Sequence, residues 1–400
     1  MLACGVLATA CPSEPTPGEY GTFRFAGRAR GRPPLNLLPP VSDRSGNIYV
    51  AYGGVTLPGE TEVFVGRAGG GWTSGCSLTK GDKFGIHGWV GFDEEHQWYW
   101  SGDALISVSG ESADCHRVLD RDPGTDVNLL FRGVLPWVRD APTRTTTVAL
   151  VQSPVDPQPF SALVDLQAEI LTNVRAFEPA NATQVSVLGV GADRVANVGF
   201  VLFQYAIDGE FVVEGRFYDS EAMETARATI PTDALPTYAV QGYLQSNASG
   251  LVAGLLDGNK LVTFDKAGGR VVDVGGMTGV GLHRWDDKLY LVGTADDRPV
   301  VAAITDSGGL TAPQQWDASL DAAAELEGAQ TIRDDRSLPS RQTTWAEVTT
   351  AIGEFPFLSA HSLVQHTEKS TIWVVAGPSF DTGGARVTAF AVAPVGVTYP

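Results

Sequence analysis

Histidine and tryptophan are the residue types here most suited to recognition chemistry, and both gather just ahead of strand-like runs. His87, His283 and His361 each precede such a run, with His366 five residues past the last of them. Trp89, Trp137 and Trp285 occupy similar positions. Imidazoles converging from several strands could hold a metal or an anion. Indoles at one mouth could offer a sugar or a peptide an aromatic platform. The histidines lie at different offsets from the turn that follows, so they need not share a level, and a satisfied or exposed imidazole is the ordinary reading. Packing between sheets explains the tryptophans just as simply. These six residues (His87, Trp89, Trp137, His283, Trp285 and His361) are the candidate binding set, and no catalytic, metal or cofactor residue is assigned.

Other chemistry is thin. No nucleophile elbow, phosphate loop, HExxH pair, EF-hand loop or cysteine metal pattern stands in a context that would support it. Gly189 and Gly191 lack the third glycine and the βαβ setting of a dinucleotide site. Single aspartates recur before the strand-like runs, at Asp43, Asp93, Asp140, Asp193 and Asp286, with Asn247 in the same role. They are a whole repeat apart, which suits turns better than calcium.

The elements that would position these residues form a repeat. Seven β-type runs rich in branched and aromatic residues centre on Tyr49, Tyr99, Val148, Leu202, Val252, Tyr290 and Trp373, with spacings of 50, 49, 54, 50, 38 and 83. Five of the six fall near the period of about 40–50 residues expected of propeller blades. Each run follows a shorter apolar segment and the Asp or Asn turn. Each is followed, across turns such as Asp208-Gly209, by a third strand and a more polar fourth. That unit is a four-stranded antiparallel meander, repeated about seven times. The expected fold is all-β, a seven-bladed β-propeller over residues 20–400, with eight blades if the long interval hides another. A set of β-sandwiches would show less regular units and a linker near the middle, and none is evident. The segment 22–26 is expected to close the ring by pairing with 386–390.

The 83-residue interval carries an insert, 317–354, with two helical patterns. One runs from Asp317 to Gly328, and the other opens on the capping box Thr344–Glu347. Such an insert is as suited to binding as to covering a blade edge.

The first 19 residues read as an export signal and tether. An uncharged apolar run ends at Cys11, and a proline-rich stretch follows from Pro12. The alternative is an N-terminal strand with an incidental cysteine. Leu7 to Cys11 resembles a bacterial lipobox, which implies cleavage before Cys11 and its lipidation. With Cys4 removed, Cys76 and Cys115 remain as an even pair in an exported chain, at matching places in the outermost strands of the first two repeats. A disulfide is expected between them.

The chain resembles bacterial propeller lipoproteins, through the repeat and the lipobox-like start. The resemblance implies an exported, membrane-tethered monomer on the periplasmic or outer-membrane face of a cell envelope. It also implies a non-catalytic binding or scaffold role toward a protein or glycan. The competing expectation is an envelope enzyme, a glycan hydrolase or lyase, acting at the channel mouth. Nucleic acid is an unsuitable partner, because the net charge is −18 and the densest basic run, Arg24 to Arg32, follows the tether.

Overall fold

A computed structural model describes most residues between 34 and 315, the pairs Glu325–Leu326 and Thr343–Thr344, and three strands between Ala360 and Val392. The expected lipidation site Cys11, the expected tether and the expected closing segment 22–26 lie outside the described residues.

Seven meanders of three to five strands follow one another along the chain, the fourth and fifth of them joined in one larger sheet. The first holds β1 (Pro34–Leu37), β2 (Val41–Ser42), β3 (Ile48–Leu57), β4 (Glu60–Arg67) and β5 (Trp72–Leu78). The second holds β6 (Ile86–Phe92), β7 (Gln97–Ser101), β8 (Leu105–Ser109) and β9 (Ser112–His116). The third holds β10 (Leu130–Val134), β11 (Arg139–Ala141), β12 (Arg144–Gln152), β13 (Pro159–Asp165) and β14 (Ile170–Ala176). The fourth comprises β15 (Thr183–Asp193), β16 (Val198–Ile207), β17 (Glu210–Tyr218) and β18 (Glu224–Ile230). The fifth comprises β19 (Gly242–Ser246), β20 (Val252–Leu256), β21 (Lys260–Asp265) and β22 (Gly268–Asp273). The sixth comprises β23 (Thr278–Trp285), β24 (Lys288–Ala295), β25 (Arg298–Ile304) and β26 (Gln314–Gln315). After the short pair β27 (Glu325–Leu326) and β28 (Thr343–Thr344) comes the last sheet, β29 (Ala360–Thr367), β30 (Ser370–Asp381) and β31 (Gly384–Val392).

Within each sheet the strands pair antiparallel in chain order, and each of the seven runs located in the sequence is the second strand of its sheet. The first strand is broken in two in the first and third sheets. In the third, Pro136 stands between β10 and β11, where its missing N–H cannot serve the ladder.

Neighbouring sheets pack face to face, and their order closes on itself. β5 lies along β9, β7 by β10, β10 by β15, β15 by β19, β19 by β23 and β23 by β29, while β29 and β30 return to β2 and β1. A ring of seven consecutive antiparallel meanders, first strands innermost, is a β-propeller.

The second strands show why the ring holds. Where their side chains are described, they are largely apolar and buried on both faces, so alternate residues serve opposite neighbours. Tyr99 enters the core shared with the first blade, while Trp98 and Trp100 enter the core shared with the third. Val201, Phe203 and Tyr205 face the third blade, and Phe200 and Leu202 face the fifth. At one seam the two blades merge, because β15 and β19 pair in parallel at Val190–Tyr243, joining blades four and five into one eight-stranded sheet. A Cβ on Gly191 would lie 2.1 Å from the carbonyl oxygen of Leu244, so this approach requires glycine.

Cys76 and Cys115 form the expected disulfide, with Cα atoms 5.2 Å apart, joining the outermost strands β5 and β9. The insert differs from expectation where it is described. Leu326 and Thr343, and Glu325 and Thr344, pair as a short antiparallel ladder, so the first pattern and the capping-box threonine carry strand there rather than helix. The rest of 317–354 lies outside the described residues. No helix occurs among the described residues.

Candidate functional site at the channel mouth

The turns joining first to second strands open onto one mouth of the ring. Asp93 and Asp193 build these turns directly. Asp93 Oδ1 accepts from the amides of Glu95 and His96, and Asp193 Oδ1 from those of Val195 and Ala196, at 2.6–3.0 Å. Asn247 does the same for the Leu251 amide. Asp93, Asp193 and Asn247 are therefore turn-formers, as their spacing indicates, whereas Asp140 lies within β11 opposite Thr145, and Asp43 and Asp286 lie outside the described residues.

Asp193 does more than shape its turn. Its second oxygen, Oδ2, accepts from the Ser246 hydroxyl at 3.0 Å and from Arg284 Nη1 at 2.8 Å. Asp193 ends the innermost strand of blade four, Ser246 that of blade five, and Arg284 lies near the end of that of blade six. One carboxylate thus ties three successive blades at their inner ends. Gln245 adds a second tie between blades five and six, its Nε2 donating to the Leu282 carbonyl at 3.0 Å.

The next residue reaches the other way. Arg194 is exposed, and its guanidinium lies 5.2 Å from the centroid of the Trp89 ring in blade two. Its Nη2 donates to the Pro136 carbonyl of blade three at 3.4 Å. Trp89 is half-buried and meets Phe92 edge to face at 5.4 Å. A strap of polar and aromatic groups thus runs from Trp89 through Arg194 and Asp193 to Arg284, crossing from blade two to blade six.

Burial opposes ionisation of Asp193. The hydrogen bonds from the Ala196 amide, Ser246 and Arg284, with the charge of Arg284, outweigh it and hold the carboxyl below its ordinary range. Asp93 is lowered in the same way, burial being outweighed by the Trp98 indole, the Glu95 and His96 amides and the nearby His96. The sign follows. A depressed folded-state value contributes stability that is present above the unfolded value, near pH 4, and is lost as pH falls through the folded value. Asp193→Asn should lower stability at neutral pH and make its decline below about pH 4 shallower than in the wild type, as read by denaturant midpoints across pH. An unchanged acid limb would show that the carboxylate does not clamp the blades.

The candidate residues of the sequence reading are dispersed along the inner strands. His87 and Trp89 lie on β6, Trp137 between β10 and β11, His283 and Trp285 on β23, and His361 on β29. His87 is half-buried and meets Trp100 edge to face at 5.0 Å. His283 is buried. Trp137 is also buried, in the core between blades three and four beside Leu135, Val148 and Val190, because Pro136 turns the broken strand inward there. It presents no platform to solvent. Trp285 and His361 are placed by their strands alone, opposite Lys288 and Val375. Of the set, Trp89 is the member joined to the strap, and its ring supports Arg194. Among the described residues no three histidine, cysteine or acidic side chains form a metal-holding group. The sequence reading missed Arg194 and Arg284, although each adjoins a residue it had named.

The fold and this mouth define the chain as a β-propeller with a laced channel end. No protein-family model matches the chain, and no curated protein matches it in sequence. Solved structures resemble it at low identity. The Dos1 propeller is 9% identical, covering 94% of this chain and 95% of that one, with a TM-score of 0.47. The WD40 domain of Toxoplasma gondii coronin is 8% identical, with coverages of 94% and 90% and a TM-score of 0.44. The phage phi92 endosialidase is 9% identical, with coverages of 96% and 70% and a TM-score of 0.44. The propeller assignment rests on the sheet order and closure described above.

Proposed function

We propose that this chain is a non-catalytic binding or scaffold lipoprotein of a bacterial cell envelope, anchored through Cys11 and presenting the strapped propeller face to a protein or glycan. The strap is the observation that carries the reading. Asp193 is held ionised and already receives two amides, a hydroxyl and a guanidinium, so it is a poor general acid at neutral pH. What the mouth offers instead is a rigid rim with an exposed guanidinium on an aromatic support.

One observation favours an enzyme. Ser107 Oγ lies 2.7 Å from His116 Nε2, and His116 Nδ1 lies 2.8 Å from Glu169 Oε1. This is the order of a nucleophilic relay. It joins the outer strands of blade two to blade three, away from the channel mouth, and Ser107 is only 4% exposed. It differs in kind from the paired carboxylates that a glycan hydrolase uses.

The test is affinity capture from envelope extracts with lipid-free protein, as wild type, as Arg194→Gln and without residues 317–354, beside fluorophosphonate labelling. Capture that depends on Arg194, with Ser107 unlabelled, is expected. Labelling of Ser107 that is abolished by His116→Ala would overturn the non-catalytic reading. Equal recovery with and without 317–354 would remove the insert as the interaction site. Labelled fatty acid should enter the wild type and not Cys11→Ser in a lipoprotein-processing host.

A further inference from the structure

Strand β9 is held from both sides at one end. It is the outermost strand of blade two, laddered to β8. Its last two residues, Cys115 and His116, serve opposite faces, as adjacent strand residues do. Cys115 is bonded to Cys76 of β5 in blade one. His116 turns toward blade three, where its Nδ1 lies 2.8 Å from Glu169 Oε1, while its Nε2 lies 2.7 Å from Ser107 Oγ on β8. A carboxylate only accepts, so in the neutral ring Nδ1 carries the proton and Nε2 accepts from the Ser107 hydroxyl. One short strand end thus joins blades one, two and three.

Glu169 makes this contact against its own backbone preference. Asp165 and Asp193 build matching turns, each accepting from the amides two and three residues on. The fourth residue after each has a φ of 55°, a left-handed conformation that Asn enters more readily than Glu. Blade four places Asn197 there, whereas blade three places Glu169, whose longer side chain reaches His116. The contact is weak alone, because the Glu169 side chain is 45% exposed and such a pair contributes little. It forms only while the end of β9 lies on β8, and the covalent bond at the adjacent residue holds that end in place.

We propose that β9 is a redox-sensitive latch, in which the Cys76–Cys115 bond keeps His116 on Glu169 and so fastens blade two to blade three. Reduction adds two electrons and two protons, taken from a dithiol that closes to its own disulfide, and returns both cysteines to thiols. The strand end is then able to fray, and the tie to blade three opens with it. Because the two ties share one strand end, each favours the other by the same factor.

The experiment uses the whole chain and reads the coupling from both ends. Exchange of the His116 Nδ1 proton with water is followed by NMR in the oxidised wild type and in Cys76→Ser/Cys115→Ser. It should be about threefold faster or more in the double variant, the size expected of one partly exposed pair. From the other end, Glu169→Asn suits the left-handed turn but is too short to reach His116. Equilibrated with reduced and oxidised dithiothreitol, this variant should have an equilibrium constant for reduction about threefold higher than the wild type. Lys260→Ala, which breaks a surface pair with Asp273 in blade five, should leave that constant unchanged. An Nδ1 proton equally protected without the disulfide would overturn the latch. So would a reduction equilibrium that Glu169→Asn does not move, or that Lys260→Ala moves as far, since the loosening would then be general. Should the double variant fail to fold, the Glu169→Asn equilibrium decides alone.

Discussion

Arg216→Ala should cost about 3–5 kcal/mol of unfolding free energy, the range for removing one partner from a buried ionic group. The Arg216 side chain is 1% exposed in β17 of blade four. Its guanidinium bonds Glu214 at 3.1 Å and Glu224 at 3.2 Å, and donates to the Glu178 carbonyl. It also lies 4.2 Å from the Phe177 ring centroid, 5.1 Å from that of Phe203 and 5.6 Å from that of Tyr205. Phe177 and Glu178 belong to the segment linking blade three to blade four, so one cation joins that linker to the sheet it precedes. Beside it, burial pushes the Tyr218 phenol far above its ordinary range, partly opposed by Arg216, so the phenol stays neutral at working pH. Alanine would leave two carboxylates and a carbonyl facing a void among aromatic rings. Lysine should recover little, because a compact ammonium cannot reproduce the planar guanidinium that meets Glu214, Glu224 and the Glu178 carbonyl together while stacking against the rings. Urea denaturation of the wild type and the two variants checks this. A loss under 1 kcal/mol for alanine would mean that the cluster contributes no more than a surface pair.

Removal of the disulfide ranks next. Cys76 and Cys115 are 39 residues apart, and closing a loop of that size restricts the unfolded chain by about 4 kcal/mol in the chain-entropy account. The double variant Cys76→Ser/Cys115→Ser should therefore unfold at lower denaturant, with blades one and two losing protection first. Cys76 is 1% exposed, so the native protein should resist mild reductant and yield its thiols only on unfolding. Intact mass before and after reduction under denaturing conditions should differ by two hydrogens. An identical mass would disprove the bond, and an unchanged denaturation midpoint in the double variant would mean that it contributes nothing to stability.

Much of the architecture was legible because propeller blades write a double periodicity. A run such as Gln97 to Trp100 carries three aromatic residues in succession and is buried at every position because both its faces are covered, and its return every 50 or so residues marks the blade. The turn aspartates were legible because their carboxylates cap their own turns, a local interaction. The cysteine pair was legible from matching places in two repeats. What stayed hidden depends on which blades meet. Asp193 read as a turn residue, and nothing local says that Ser246 and Arg284 come from two further blades to its other oxygen. Arg216 sits in an ordinary strand pattern, and its cage is assembled from Glu214, Glu224 and the linker. Trp137 looked like a platform, and only the break at Pro136 shows that the ring turns into the core. In the insert, Thr344 to Glu347 carries a good capping box, yet local helix preference is weak, and Thr344 pairs with Glu325 across a ladder instead.

The parallel pairing of β15 with β19 has a consequence for how the ring comes apart. Among the described residues it is the one seam at which two blades share a backbone ladder, the others meeting mainly through side chains. Strands β15–β22 then act as a single cooperative unit, in which neither blade opens without breaking hydrogen bonds of the other. A propeller under mechanical load or thermal fluctuation parts where its neighbours merely touch. Here that places the parting away from the seam between blades four and five.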